Sequence, residues 1–444
     1  TYQGIILRDS SLPLWGSYLA KLFENNETKG VAKFLSLYNV KYVILNPPED
    51  IYWIYSSKSY FYYYSVLNKT SGFRLVDIGT KGAKVFLNEF TLSPVRVVKK
   101  AGLLVGSMSD MIKVIDTSDI NEWVFQFIDS SPSSTINLDM YSAIIYGRNR
   151  GIVDILVHMV NECYRIPLWD YASLWNTKES SKWVLGYPLA SNLVQEVIIS
   201  PKGLLANPFP DQIAQMSLEF YAPQSTLYDI WLRAGAGSLG GSITVIVSNE
   251  EVGSVTISPD SDAGLKWIKV GSIQLEKGLT QIKILGTGQV FLDVMIVVPK
   301  YIFEKLETSV SRIIESKSYT LDEFISIVAL DNRFEKESFD VQWIRKSPTS
   351  LYIKCVNTSN TFLVFSELYD PLWMLKSKFH EGNSIVAYGL VNMFIMNSPI
   401  LEGEIEYIPQ RFVDLGVYIS IFGFLLVIIL IFLSSRLQRI KFLM

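Results

Sequence analysis

Cysteine is almost absent from this chain. Its 444 residues include only Cys163 and Cys355, too few for a disulfide framework, so one bridge between them is the most that cysteine pairing offers. Histidine is as scarce: His158 and His380 lie far apart and in no metal-ligand spacing, which argues against a zinc enzyme. Neither sign of charge dominates, since 40 basic and 43 acidic residues leave a net charge of −3. No basic stripe runs along the sequence, so the electrostatic footprint of a nucleic-acid binder is missing. No Walker loop, HExxH motif or Ser-His-Asp order occurs, and we assign neither a cofactor nor a metal. Residues 1–25 hold no charged-then-apolar leader; the expectation is either a leader already removed or further chain upstream.

What the chain does have is apolar and aromatic material. Hydrophobic residues make up 49% and aromatics 13%, enough for real cores and suited to β-sheets and sugar-facing surfaces alike. The length allows about three domains of roughly 150 residues. One feature fixes a partner, the lipid bilayer. Leu415–Leu433 carries no charge, and as a helix it would run about 29 Å, close to the hydrocarbon thickness of a membrane. We place a transmembrane helix at 413–435 and a basic tail at 436–444, where Arg436, Arg439 and Lys441 follow the span. The positive-inside rule puts that tail in the cytoplasm and the bulk of the chain outside, at the cell membrane. Acceptor sequons at Asn26, Asn68 and Asn357 agree with this topology.

Composition and periodicity divide the rest. Residues 1–100 read as an α+β region, with a β-branched run at Val40–Leu45 stopped by Asn46-Pro47-Pro48. Residues 101–175 alternate strand and helix as a small α/β unit, its helix Gly151–Val160 showing apolar residues at helical spacing. Residues 178–300 give about eight strands with regular turns, including a pair around Asn249-Glu250 and a flexible turn at Gly235–Gly241, which indicates a jelly roll. Residues 301–335 read as a helical connector, and 336–410 as a membrane-proximal β-sandwich. The fold class expected is therefore multidomain and mainly β, with one α/β unit and one C-terminal membrane helix.

Two stretches carry resemblances. Tyr228-Asp-Ile-Trp-Leu-Arg233, Leu265-Lys-Trp-Ile-Lys-Val-Gly-Ser-Ile-Gln-Leu275 and Phe291-Leu-Asp-Val-Met-Ile-Val-Val-Pro299 resemble the strands of jelly-roll carbohydrate-binding modules. That likeness implies glycan binding, with Trp231 and Trp267 as the candidate stacking residues and core packing as their competing role. It also implies a carboxylate on the closing strand that can hold a structural calcium, at the place of Asp293; the other oxygen ligands calcium requires are not identifiable. Phe362-Leu-Val-Phe-Ser-Glu-Leu-Tyr-Asp-Pro-Leu-Trp373, Ala387–Phe394, Glu406-Tyr-Ile-Pro-Gln410 and the start of the apolar helix resemble the membrane-proximal end of YfhO-like proteins, relatives of GT-C glycosyltransferases. Phe34–Ile44 is similar to the strand that follows their membrane bundle. The resemblance implies an upstream membrane bundle holding the catalytic carboxylates, which leaves this chain non-catalytic by itself. Glu367 and Asp370 are accordingly read as turn residues rather than a glycosidase pair. The function expected is an extracytoplasmic, glycan-facing region of a GT-C-like envelope protein. The alternative is a structural cell-surface protein, a subunit of an envelope lattice or membrane complex; a secreted hydrolase lacks any catalytic constellation.

Overall fold

The computed structural model describes residues 18–19, 22–23, 25–45, 60–76, 83–129, 136–148, 150–168, 183–186, 204–207, 209–259, 264–331, 339–356, 358, 360–378, 381–398 and 400–443. Asn46-Pro47-Pro48, Asn357 and His380 lie outside these residues.

The N-terminal region has helices α1 (Val31–Ser36) and α2 (Tyr60–Lys69) with strands β1 (Tyr42–Leu45), β2 (Phe73–Val76) and β3 (Lys84–Asn88), paired antiparallel in the order β1-β3-β2. Asn88, fully buried, ties this sheet to α1 by donating to the carbonyls of Ala32 (2.8 Å) and Val40 (3.1 Å). β4 (Val95–Val98) follows, and the chain then enters the α/β unit: β5 (Lys100–Val105), α3 (Met108–Thr117), β6 (Trp123–Phe127), β7 (Ala143–Tyr146) and α4 (Ile152–Met159). Ser107 opens α3 with a capping box, its hydroxyl accepting from Asp110 N while Asp110 Oδ2 accepts from Ser107 N (2.9 Å).

The jelly roll comprises β8 (Arg165–Pro167), β9 (Val184–Gly186), β10 (Leu204–Ala206), β11 (Ala214–Ala222), β12 (Thr226–Val247), β13 (Glu250–Ile257), β14 (Lys266–Leu275) and β15 (Gly278–Pro299). The expected strand pairing forms, but its turn sits one residue earlier than Asn249-Glu250: Ser248 and Asn249 both take positive φ (49° and 71°), the requirement of a two-residue type I′ hairpin, and Glu250 opens β13. The glycine-rich stretch differs from expectation. Gly235–Gly241 does not separate two strands but bends one, for β12 and β15 each run 22 residues and pair with each other on both sides of it. The register skips from Ala236 to Gly241, so the extra residues bulge out and the two strands cross together from one sheet to the other. At the crossing the backbones nearly touch: a Cβ on Gly241 would lie 2.2 Å from the carbonyl oxygen of Thr287.

After β15 come α5 (Lys300–Lys317), β16 (Ser318–Thr320) and α6 (Leu321–Asp331). The stretch expected as a plain helical connector thus contains a strand, and β16 pairs parallel to β7 to complete a parallel sheet of order β16-β7-β5-β6. The jelly roll is therefore an insertion within the α/β unit. The last layer holds β17 (Val341–Ser347), β18 (Ser350–Val356), β19 (Thr361–Leu368), β20 (Trp373–Ser377), β21 (Glu381–Asn383), β22 (Ile385–Ala387), β23 (Val391–Met396) and β24 (Ile400–Tyr407). They form two sheets, β17-β18-β24-β20-β21 and β22-β23-β19-β4. Because β4 pairs with β19, the sandwich begins before the α/β unit and closes after it, and the insertions are nested.

Helix α7 (Pro409–Leu443) leaves β24 almost directly, and its apolar stretch Pro409–Ile431 is buried nowhere. A core helix of that composition would be covered; this one has the length and apolarity to cross a membrane and presents Phe412, Leu415, Ile419, Phe422 and Phe424 outward.

Gly241→Val should lower stability by about 1–3 kcal/mol, because a backbone carbonyl cannot yield to the new side chain. Gly151→Ala, where an added Cβ meets nothing within 4 Å, should stay within about 0.5 kcal/mol of the parent. Urea midpoints of the two variants test the difference.

Candidate functional site

Along β12 the side chains alternate: Ile230, Leu232 and Ala234 enter the jelly-roll core, while Trp231 and Arg233 leave it on the opposite face. On β15, Met295 and Val297 face inward and Val294, Ile296 and Val298 outward. This outward face is not solvated. It packs on the α/β unit and shares one core with α4, α5 and the parallel sheet.

Arg233 sits in the middle of that interface with no exposed surface. The register of β12 with β15 shifts between Leu232 and Ala234, and Asp293 lies in the matching gap, ion-paired to Arg233 Nη1. Arg233 Nη2 crosses to the α/β unit and pairs with Asp129 Oδ2 at 2.5 Å. Asp129 follows β6 at the carboxyl edge of the parallel sheet, and its other oxygen is 2.8 Å from His158 Nε2, on the last turn of α4. Arg165, at the entry to the jelly roll, donates to the carbonyl of His158 (2.8 Å) and faces His158 Nδ1 at 3.5 Å. A guanidinium beside Nδ1 leaves that nitrogen as acceptor, so the proton resides on Nε2 and points to Asp129.

The electrostatics follow from this packing. Burial alone would raise the Asp129 carboxyl, but Arg233, then the His158 hydrogen bond, and then Arg150 outweigh it and hold it well below the usual carboxylate range. For His158 burial is the largest influence and lowers it; Asp129 opposes, while Arg165 and Arg233 add to the lowering, and the ring stays neutral. Both groups are closed to solvent, and no hydroxyl or thiol stands among the described contacts of His158. The arrangement supplies an ionic lock between two units. Among the described residues no group of three or more His, Cys, Asp or Glu could hold a metal. Asp293, where the carbohydrate-module resemblance implies a calcium ligand, faces a guanidinium instead.

The residues singled out from sequence lie as follows. Trp231 and Trp267 are 9% and 8% exposed. Trp231 is stacked on Phe303 of α5 (centroids 5.2 Å apart, 19° between planes) with Lys269 Nζ over its ring at 5.8 Å, and Trp267 lies edge-on to His158. Neither ring offers a free face for a sugar, because the α/β unit occupies the side on which a sugar would stack. Asn26 and Asn68 are exposed. Cys163 is exposed and Cys355 buried, both as free thiols, so the one conceivable bridge is not formed; they sit in different units. Glu367 differs from expectation: it lies within β19, one residue from its end, and is paired with Arg345, whereas Asp370 follows the strand and accepts from Tyr407 Oη (2.9 Å) and Leu372 N (2.9 Å). A cleft of about 200 Å³ lined by Ser36, Asn39, Val40, Lys41, Phe90, Thr91 and Leu92 is smaller than the roughly 300–1,000 Å³ of a typical ligand pocket.

Of the residues that complete the lock, Asp129 and Arg165 were not singled out from sequence, and His158 was weighed only as a metal ligand. The readable signal was a histidine inside the otherwise apolar helix Gly151–Val160, a position where a polar ring requires a buried partner.

No protein-family description matches this sequence, and no curated protein does. Among solved structures it is similar to the GH26-CBM35 β-(1,4)-mannanase of Podospora anserina (16% identity, TM-score 0.23), over 31% of this chain and 27% of that one. A family 35 carbohydrate binding module from an environmental isolate matches at 17% identity and TM-score 0.23, over 27% of this chain and 84% of the module. The C-terminal CBM6 of LamC from Zobellia galactanivorans matches at 14% identity and TM-score 0.22, over 30% of this chain and 97% of the module. The chain thus spans about a quarter of the mannanase's length.

Asp129→Asn should destabilise the chain by about 1.5–3 kcal/mol, since it weakens the charged bond that joins Arg233 to the α/β unit while Asp293 still pairs with the guanidinium. Acid should act through the same groups. A histidine held below its ordinary value of about 6.5 loses stability as pH falls past that value, because only the unfolded chain takes the proton; Asp129 adds its loss below about pH 4. The unfolding temperature is expected to fall steadily from pH 6.5 to 4, and His158→Gln should flatten that upper limb.

Proposed function

We propose that this chain is the extracytoplasmic, glycan-facing part of an envelope membrane protein, tethered by α7 and non-catalytic by itself. The observation that carries the reading is the tether. An uncovered apolar helix starts two residues after β24, with one cation before its span, Arg411 ion-paired to Glu406, and Arg436, Arg439 and Lys441 in the tail beyond it, so the sandwich adjoins the bilayer and the other units build outward from the sandwich. The α/β unit contacts the sandwich through Tyr388, whose N–H donates to the carbonyl of Phe125 (2.6 Å), and the jelly roll packs on the α/β unit.

The lock around Arg233 decides which jelly-roll surface is available. With one sheet buried, the opposite sheet of β11, β13 and the distal halves of β12 and β15 is free. Its outer side carries Gln215, Ser217, Glu219 and Tyr221 on β11, with Gln281 and Lys283 beside them on β15. Tyr221 is 58% exposed next to Leu279 at 67%, the reverse of the two buried tryptophans. An exposed ring bordered by hydroxyls and amides suits the C–H face and hydroxyl rim of a saccharide. On this reading saccharide transfer, if the whole protein performs it, belongs to an upstream membrane bundle of the kind the YfhO-like resemblance implies.

The second reading, a structural subunit of an envelope lattice or membrane complex, is favoured by the nested build, in which residues of several units share one apolar core.

Protease added to intact cells should remove the large portion and leave the basic tail protected; the opposite pattern inverts the topology. Thermal shift against a panel of envelope polysaccharides should show a saturable rise that Tyr221→Ala removes. Flat curves across the panel favour the structural reading.

A further inference from the structure

Strand register locates the end of the sandwich from which the tether departs. Ser350, which opens β18, pairs with Glu406 near the end of β24, and Trp373, which opens β20, pairs with Tyr407. The β17–β18 turn and the β19–β20 turn therefore both lie where β24 hands over to α7. Two backbone bonds fix the adjacency. Tyr407 N–H donates to the carbonyl of Thr349 (2.9 Å), and Ile408 N–H donates to that of Leu372 (3.0 Å). Ile408 directly precedes Pro409, where the apolar stretch begins.

The β19–β20 turn is apolar at its tip. Turns are ordinarily built from small and polar residues, yet Pro371 is exposed here, Leu372 is 43% exposed, and Leu368, the last residue of β19, is 58% exposed. Phe412, in the first turn of α7, is exposed as well. A single apolar residue on a surface needs no account, but these gather at the corner that the membrane helix leaves. The turn is also held firmly. Asn392, fully buried, donates Nδ2 to the carbonyls of Glu367 (2.9 Å) and Leu368 (3.1 Å), and its Oδ1 accepts from Asp370 N (3.2 Å). Asp370 in turn accepts from Leu372 N and Tyr407 Oη, and its carbonyl accepts from Ser384 Oγ (2.7 Å). A turn fixed in this way holds its apolar side chains at one height, and little conformational freedom is lost when they are covered.

Charge at this corner is neutralised in pairs: Arg411 with Glu406, Arg345 with Glu367, and Lys346 with Glu404 (3.1 Å). The corner thus offers apolar side chains without a surplus of either sign. Its height follows from helix geometry. Leu372 is tied to Ile408, and the charge-free run from Leu415 begins about 10 Å further along the helix. The headgroup layer of one leaflet is about 5–8 Å deep, so the turn lies at the level where headgroups begin.

We propose that the β19–β20 turn is a second membrane contact, with Pro371, Leu372 and the adjoining Leu368 sinking into the interfacial layer of the leaflet that α7 enters. The inference rests on the reading of α7 as a membrane span. A single helix leaves the sandwich free to swing about Ile408. A second contact fixes its tilt, and with it the direction in which the outer units point. The occupant is lipid, because the patch is continuous with the apolar surface of α7 that lipid covers on that reading.

The test uses the full chain in phosphatidylcholine vesicles, with Cys163→Ser leaving the buried Cys355 as the one native thiol. An environment-sensitive fluorophore is attached in turn at Leu372→Cys, Phe422→Cys and Leu239→Cys, all of them exposed positions. The label at Leu372 should emit at shorter wavelength than the one at Leu239, and should lose emission to lipids spin-labelled at the headgroup. The label at Phe422 should lose emission to lipids spin-labelled deep in the acyl chain, and the one at Leu239 should respond to neither. If the Leu372 label behaves like the Leu239 label while Phe422 is quenched, the contact is overturned and the span stands. A Leu372 label that shifts to shorter wavelength but is quenched by no lipid means that protein covers the patch, which also overturns it. Loss of quenching at Phe422 as well would take the membrane reading of α7 down with the contact.

Discussion

A guanidinium removed from water must find negative charge nearby, and Arg233 finds it on two different units of the fold. Asp293 comes from its own jelly roll and Asp129 from the parallel sheet, so the pairing is complete only when the two are docked. The cost of burying these charges separately is several kcal/mol each, which makes the docked arrangement the one that satisfies them. Much else follows. Because this sheet of the jelly roll is the one that docks, Trp231, Trp267, Ile296 and Val298 become core, and the opposite sheet is left to face the surroundings.

The same logic runs along the chain toward the membrane. Lys33 of α1 donates to the carbonyls of Asp116 (3.2 Å) and Ser118 (2.5 Å), joining the N-terminal region to the α/β unit. Tyr388 joins the sandwich to β6 by both its backbone and its hydroxyl. These junctions are polar but buried, and they sit within one continuous apolar cluster that takes residues from every unit. Hydrophobic contact provides the bulk of the cohesion there, while the directional bonds fix which surfaces meet.

Much of the architecture was legible from sequence because it rests on local rules. The membrane helix, the hairpin pairing near Asn249 and the helix after Gly151 all follow from periodicity and turn chemistry. What was not legible depends on pairing over distance. Nothing near Val95 announces that it will pair with Phe365, and nothing in Ser318–Thr320 distinguishes a three-residue parallel strand from a helix end. The glycines at 235–241 read as a turn because composition shows where a backbone is able to bend, not whether its partner bends with it. Trp231 and Trp267 resemble sugar platforms in spacing, yet which face of a sheet is covered is set by another unit. Asp129 escaped notice since a single aspartate after an apolar strand looks like any loop residue.

The nesting has a kinetic meaning. Arg96 on β4 and Ser366 on β19 are 270 residues apart, so the edge of β4 emerges from the ribosome long before the strand that covers it exists. During that interval the jelly roll and then the parallel sheet are able to close as self-contained inner layers, and the sandwich closes last, with the anchoring helix following its final strand. A chain built in this way couples the end of maturation to arrival at the bilayer. Its most vulnerable moment is the wait of an unpaired, apolar β4, when capture by a neighbouring nascent chain competes with the proper ending.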